Sequence, residues 1–225
     1  MSFIKFDKVT KDYHSGEVTI RALSDASFEV EKGEICVIVG ESGAGKTTLL
    51  NILGGMDSLD EGTYLFEDEP VSSMNARQLA HFRNKKVGFV FQSFHLLPEF
   101  NVMDNVALPL GYGGAGAKER KARAMELLEK EGLKDKAKRK PSQLSGGEQQ
   151  RVAIARAIAA DPDVLLADEP TGSLDEENGI KVMDMLKTLN DQGLTIVLVT
   201  HDAKVADYAH RLLHMSDGKL EEQME

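Results

Sequence analysis

The sequence predicts an α/β fold with three parts: a mainly parallel sheet, a small antiparallel β lobe on its N-terminal side, and an inserted α-helical lobe. Three observations carry this expectation. Apolar runs at residues 35–39, 164–167 and 195–199 lack polar alternation, which is the pattern of strands covered on both faces. A helical pattern over 179–189 separates the last two runs, so they form a βαβ crossover and run parallel. The first third alternates instead, at residues 3–9 and again at 20–31 before a Lys32-Gly33 turn, as strands with one wet face do.

The remaining elements follow in order. The run at 35–39 leads into a glycine-rich stretch and then a helix that ends near Gly54-Gly55. Residues 87–92 read as another strand. From 93 to 160 no buried strand is expected, and two helical patterns stand out. The first, 118–131, puts Ala122, Met125, Leu127 and Leu128 near one face and charges elsewhere. The second runs from Gly146 to about Ala160, with Val152, Ala155, Ile158 and Ala159 on one side. A glycine-rich linker at 111–116 reads as a flexible surface loop. A hairpin around Ser216-Asp217-Gly218 closes the fold. The expected organisation is one domain over 1–225, with 1–92 and 161–225 forming the β lobe and core and 93–160 the helical lobe.

Composition narrows the function. Of 225 residues, 41% are hydrophobic, enough for a full core. Acidic residues outnumber basic ones 37 to 27, a net charge of −10 that argues against a broad nucleic-acid or anionic-lipid surface. The single cysteine, Cys36, rules out an internal disulfide and sits in an apolar run, where a buried, unreactive thiol in a reducing compartment is expected. The N-terminus lacks a basic start followed by an apolar block, and no apolar stretch approaches the ~18 residues of a membrane span. A soluble chain on the cytoplasmic side is the expectation.

The glycine-rich stretch Gly40-Glu41-Ser42-Gly43-Ala44-Gly45-Lys46-Thr47-Thr48 fits G-x-x-x-x-G-K-[ST], with a strand before it and a helix after. Glycines let the backbone bring several N–H groups to phosphate oxygens, and the helix start adds unpaired N–H groups and a favourable dipole. Lys46 supplies charge to the β and γ phosphates and Thr47 a hydroxyl for Mg²⁺. The expected fold is thus a P-loop NTPase core, and the expected ligand is a nucleoside triphosphate with Mg²⁺. In a parallel sheet, ligands gather at the carboxyl ends of strands. Three such ends offer chemistry: Asp168-Glu169 after 164–167, His201 after 195–199, and Gln92 after 87–91. Asp168 suits Mg²⁺, Glu169 suits polarising a water, and the Gln92 amide suits either role.

Leu144-Ser145-Gly146-Gly147-Glu148 opens a long helix, with Ser145 as its N-cap. Two glycines in a first turn cost roughly 1 kcal/mol each against alanine. What they offer is close approach of N–H groups to an anion, yet Lys46 and its loop already hold this chain's phosphates. A second phosphate-reading helix start makes sense if it faces nucleotide on another copy or a homologous subunit, which predicts a nucleotide-sandwich dimer. Ser173-Leu174-Asp175 reads equally well as a cross-subunit contact or an ordinary helix cap.

Taken in chain order, the phosphate loop 40–47, Gln92, residues 144–148, Asp168-Glu169, residues 173–175 and His201 resemble the ATP-binding subunit of an ABC transporter over essentially the whole chain. The resemblance implies that two subunits sandwich two ATP and two Mg²⁺. It further implies Glu169 as general base, His201 as γ-phosphate sensor, Gln92 as the Q-loop residue, and Ser145 and Gly147 as contacts to the opposite ATP. It also implies that Tyr13 stacks on adenine. Residues 93–100 (Ser93 to Phe100), followed by Asn105-Val106-Ala107-Leu108-Pro109-Leu110, look like the macrolide-export and lipoprotein-release branch. In that branch the segment docks a polytopic membrane permease at the cytoplasmic face of the membrane. The same branch holds a cell-division ATPase, so signalling or cell-wall control without transport is the alternative. No C-terminal regulatory domain is expected. The long coiled-coil insertions of DNA-repair ABC proteins are missing, because no heptad run is present.

Overall fold

The computed structural model describes residues 2–222. Its N-terminal lobe is a four-stranded antiparallel sheet built on β1 (Ile4–Ser15) and β2 (Val18–Val30), completed by β4 (Glu61–Phe66) and β5 (Glu69–Pro70) in the order β2-β1-β4-β5. The main sheet contains β3 (Ile35–Gly40), β6 (Val87–Phe91), β7 (Val164–Asp168), β8 (Thr195–Thr200), β9 (Arg211–Ser216) and β10 (Lys219–Glu222). Its order is β10-β9-β3-β8-β7-β6, and every pairing is parallel except the closing β9–β10 hairpin. That hairpin turns on Asp217 and Gly218, both at positive φ, as a two-residue loop matching strand twist requires.

The apolar runs are strands because each side chain finds a core on its own side. Ile35, Val37, Leu165, Ala167, Ile196 and Leu198 enter one cluster, while Cys36, Ile38, Val164, Leu166, Val197 and Val199 enter the other. The period-two split is that of a sheet sandwiched between two layers. One layer contains α1 (Lys46–Leu53) and the inner face of the antiparallel lobe. The other contains α3 (Val102–Tyr112), α4 (Ala117–Lys130), α5 (Gly146–Ala157) and α6 (Glu176–Asp191). Cys36 is fully buried, and burial pushes its thiol pKa well up, so the thiolate is suppressed.

Several expectations need correction. Residues 93–160 hold three helices rather than two. The missed one, α3, has Pro109 in its interior and runs through Gly111 and Tyr112, residues expected in a flexible linker. A further helix, α2 (Ala76–Lys85), was also not anticipated; Asn75 opens it with a capping box on Gln78. In α4 it is Ala124, not Ala122, that turns to the core. Helix α5 stops at Ala157, short of Ala160, and α6 starts at Glu176, three residues before the expected Gly179. His210 accepts a hydrogen bond from the Ile35 N–H through Nδ1 at 2.9 Å and so secures the start of β3.

Candidate active site

The site forms along the carboxyl edge of the main sheet, where β3, β6, β7 and β8 all end. The loop after β3 wraps tightly because its glycines allow it. A Cβ on Gly40 would sit 2.4 Å from the Met215 carbonyl oxygen, and one on Gly45, at φ 105°, would sit 2.3 Å from that of Ala22. Gly43 lies open at φ 84°, leaving a cradle that no side chain fills. Lys46 is buried at the first position of α1, and its ammonium donates to the Gly40 and Glu41 carbonyls at 2.7 and 2.8 Å. A buried cation whose hydrogen bonds among the described residues go to two carbonyls of an anion-binding loop is poised for phosphate.

Thr47 follows on α1 and donates through Oγ1 to Asp168 Oδ2 at 3.0 Å, joining the loop to the end of β7. Burial is the main cause that raises the Asp168 carboxyl above its ordinary value; the Glu169 charge adds to it, against the Thr47 hydroxyl and Lys46. Glu169 occupies the left-handed region at φ 44°, pinned by its N–H on the Val199 carbonyl at 2.9 Å. His201 Nδ1 donates to Glu169 Oε1 at 2.9 Å, so the ends of β7 and β8 meet through side chains. Thr171, Gly172, Leu174, Thr200, His201, Asp202 and Ala203 line a cleft of about 370 Å³ beside this pair. Gln92, one residue past β6, faces the same place: a Cβ on Gly172 would lie 2.8 Å from its Nε2 and 3.2 Å from Glu169 Oε2. A larger cavity of about 640 Å³, between α4 and α6, contains none of these residues.

The residues present fit Mg²⁺ held jointly with phosphate. Among the described residues no cluster of three or more His, Cys, Asp or Glu exists. One hydroxyl, one carboxylate and one amide at the phosphate loop is instead the sparse oxygen set of an ion that keeps its waters and shares phosphate oxygens.

The other predicted residues lie apart. Ser145 caps α5 by a reciprocal box: its Oγ accepts from the Glu148 N–H at 3.3 Å, and Glu148 Oε2 accepts from the Ser145 N–H at 3.0 Å. Lys136 pairs with Glu148 from outside. Gly147 is buried against Asn178, whose Oδ1 would be 2.4 Å from an added Cβ. Among the described residues no hydrogen bond or ion pair joins this helix start to Lys46. Tyr13 is 40% exposed on β1, and its hydroxyl donates to Asp57 Oδ2 at 2.7 Å. Asp175 caps α6 and Ser173 Oγ donates to the Gln92 carbonyl at 2.9 Å, so this pair has local work to do. In residues 93–100, Leu97 and Phe100 are exposed whereas Leu96 packs on the core.

Sequence reading missed three supporting residues. Asn105 is fully buried and binds Leu97 through both its N–H and its carbonyl, at 2.7 and 3.0 Å. Gln150, also fully buried, donates to the Pro170 carbonyl at 2.7 Å. Arg156 donates to the Phe94 and His95 carbonyls. The available signal was a polar residue on the apolar face of a helix.

Comparisons with known proteins agree on the family. The family model described as "ABC transporter" matches residues 23–172. An ABC transporter ATP-binding protein of Thermotoga maritima is 51% identical over 213 residues, covering 95% of this chain and 91% of that one. The macrolide export ATP-binding/permease protein MacB 2 of Aeromonas hydrophila is 46% identical over 219 residues; the match covers 97% of this chain but only 34% of that protein. The dimeric post-hydrolysis structure of the ATP-binding cassette MJ0796, bound to ADP and Pi, superposes with a TM-score of 0.90 at 42% identity over 99% of both chains. With the matching motifs gathered on one sheet edge of the matching fold, the chain belongs to the ABC transporter family, as one of its ATP-hydrolysing cassettes.

Proposed function

We propose that the chain is the motor subunit of an export-type transporter. It pairs with a second copy or a homologous subunit around two Mg-ATP, and it drives a polytopic membrane permease from the cytoplasmic face of the membrane. The observation that carries this reading is the meeting of Thr47 with Asp168 and of Glu169 with His201 at the ends of adjacent parallel strands. The permease assignment draws on the MacB relatives, named as ATP-binding and permease in one chain, and the pairing on the MJ0796 dimer.

Each residue then has a role. N–H groups of Glu41 to Thr48 surround the phosphates, and Lys46 turns from the Gly40 and Glu41 carbonyls to their β and γ oxygens. Thr47, Asp168 and Gln92 would hold Mg²⁺, and an ion bound there would neutralise charge developing on the phosphate oxygens. Glu169 takes a proton from the attacking water, and His201 orients the Glu169 carboxylate and senses the γ-phosphate. Ser145, Gly146, Gly147 and Glu148 present the α5 start to the partner's nucleotide. Tyr13 offers its exposed ring to adenine. Leu97 and Phe100, exposed beside the Gln92 segment, suit a docking site for the permease, and the net charge of −10 gives nucleic acid no general attraction.

Glu169→Gln keeps an acceptor for the His201 N–H but loses the base. Turnover should fall roughly 10²- to 10⁴-fold while ATP still binds. Light scattering should then show about twice the monomer mass only with Mg-ATP. Retained turnover, or a monomer with ATP demonstrably bound, would overturn the proposal. Lys46→Ala should lose ATP binding itself in an equilibrium titration.

A further inference from the structure

We infer that Arg156 is a positioning residue for hydrolysis: it ties the segment after Gln92 to α5 and thereby sets where the Gln92 amide points. The inference rests on the proposed role of Gln92 and adds a residue to it. Arg156 stands near the end of α5, far along the helix from the Ser145 cap. Its Nη1 donates to the His95 carbonyl at 2.5 Å and its Nη2 to the Phe94 carbonyl at 2.9 Å. Its bonds among the described residues are to those two carbonyls and to no carboxylate, and burial lowers its pKa, so the protein bears a desolvated charge to hold two backbone oxygens.

Those two oxygens belong to a strained turn. Phe94 and His95 stand in succession in the left-handed region, at φ 59° and 46°, where bulky side chains crowd their own backbone. Such a turn persists only when its surroundings over-determine it. The forked guanidinium does so, since its two N–H groups match two carbonyls that the turn leaves without a helix or sheet partner.

The hold extends across Gln92. Gln150, two turns earlier on α5, reaches the Phe91 carbonyl at 3.5 Å and the Pro170 carbonyl at 2.7 Å, and Ser173 takes the Gln92 carbonyl at 2.9 Å. Phe91, Gln92, Phe94 and His95 are therefore all held through their carbonyls, three of the four by α5. Helix α5 thus spans from the start facing the partner's nucleotide to the segment bearing Gln92, and a shift of one end is imposed on the other. Among the described residues Arg156 makes no hydrogen bond to the phosphate loop or Tyr13, so nucleotide affinity is expected to be spared.

The test is a double-mutant cycle in the full chain with Arg156→Gln and Gln92→Ala, reading kcat and KM for ATP with Mg²⁺. Arg156→Gln alone is expected to lower kcat about tenfold or more with KM for ATP within about twofold. In the Gln92→Ala background the same change is expected to cost little further. Arg156→Lys, which keeps the cation but not the fork, should fall between and covers the case where the glutamine variant does not fold. Backbone hydrogen exchange should quicken at 93–97 in both variants. Unchanged kcat, an equal loss in both backgrounds, or unchanged exchange would overturn the inference. A wild-type chain without ATP turnover would instead sink the proposed function, and the exchange measurement would still decide whether Arg156 holds the segment.

Discussion

Asp168 shows how one residue trades stability for chemistry. Its carboxyl is raised by burial, which the Thr47 hydroxyl and the Lys46 charge across the loop offset only in part, while Glu169 adds a second negative charge. A carboxyl raised in the folded state stabilises the protein below its unfolded value of about 3.8, and that contribution is lost as pH rises through the folded pKa. At neutral pH the ionised Asp168 therefore works against the nucleotide-free fold. Asp168→Asn keeps an acceptor for Thr47 and removes the charge. It should melt at a higher temperature than wild type at neutral pH, with the gap closing near pH 4. Its Mg²⁺-dependent turnover should collapse at the same time. Equal melting temperatures at neutral pH would show that the carboxylate is better solvated than its burial indicates.

At the scale of elements, the start of α5 is fitted to the start of α6. Gly147 has ordinary helical geometry, yet a Cβ there would meet Asn178, and Asn178 Nδ2 donates to both Asp175 oxygens at 3.0 and 2.8 Å. Gly147→Ala must push Asn178 off Asp175 and should cost about 1 kcal/mol, the scale of a disturbed cap, read from denaturant midpoints. Adding Asn178→Ala should return most of that loss. If it does not, the glycine serves backbone approach rather than packing. The glycines at 146 and 147 were legible as anomalous in the sequence, because their helix cost is local and known. Their partner was not, since Asn178 is thirty-odd residues away and only the packing of two helices brings it there. Helix α3 escaped for a related reason: Pro109 and Gly111 argue against a helix locally, and burial of Val102, Val106 and Ala107 overrides them.

For the whole molecule, the governing quantity is charge. Each copy carries −10, so two copies meet against their own repulsion before bound nucleotide adds more. Nucleotide-driven pairing of Glu169→Gln should therefore strengthen by a few-fold as salt rises from about 50 to about 300 mM, because screening shortens the Debye length. Light scattering across a dilution series at the two salt levels measures it. Weaker pairing at high salt would mean that local attraction at the α5 start dominates the net charge.

The sequence alone determined the fold class, the phosphate loop and the acids at the strand ends. These depend on short-range patterns: unbroken apolar runs, glycines needed for close backbone turns, and carboxylates next to buried strands. It also led to the proposal that the α5 start faces nucleotide on another copy, an inference from two half-sites in one chain. Only the tertiary structure decided which side chains meet. The Thr47–Asp168 bond spans 121 positions, the His201–Glu169 bond 32, and the Arg156 hold on Phe94 spans 62. Contacts at such separations follow from strand order and helix packing, which depend on the balance of burial over the whole chain and leave no mark in any local window.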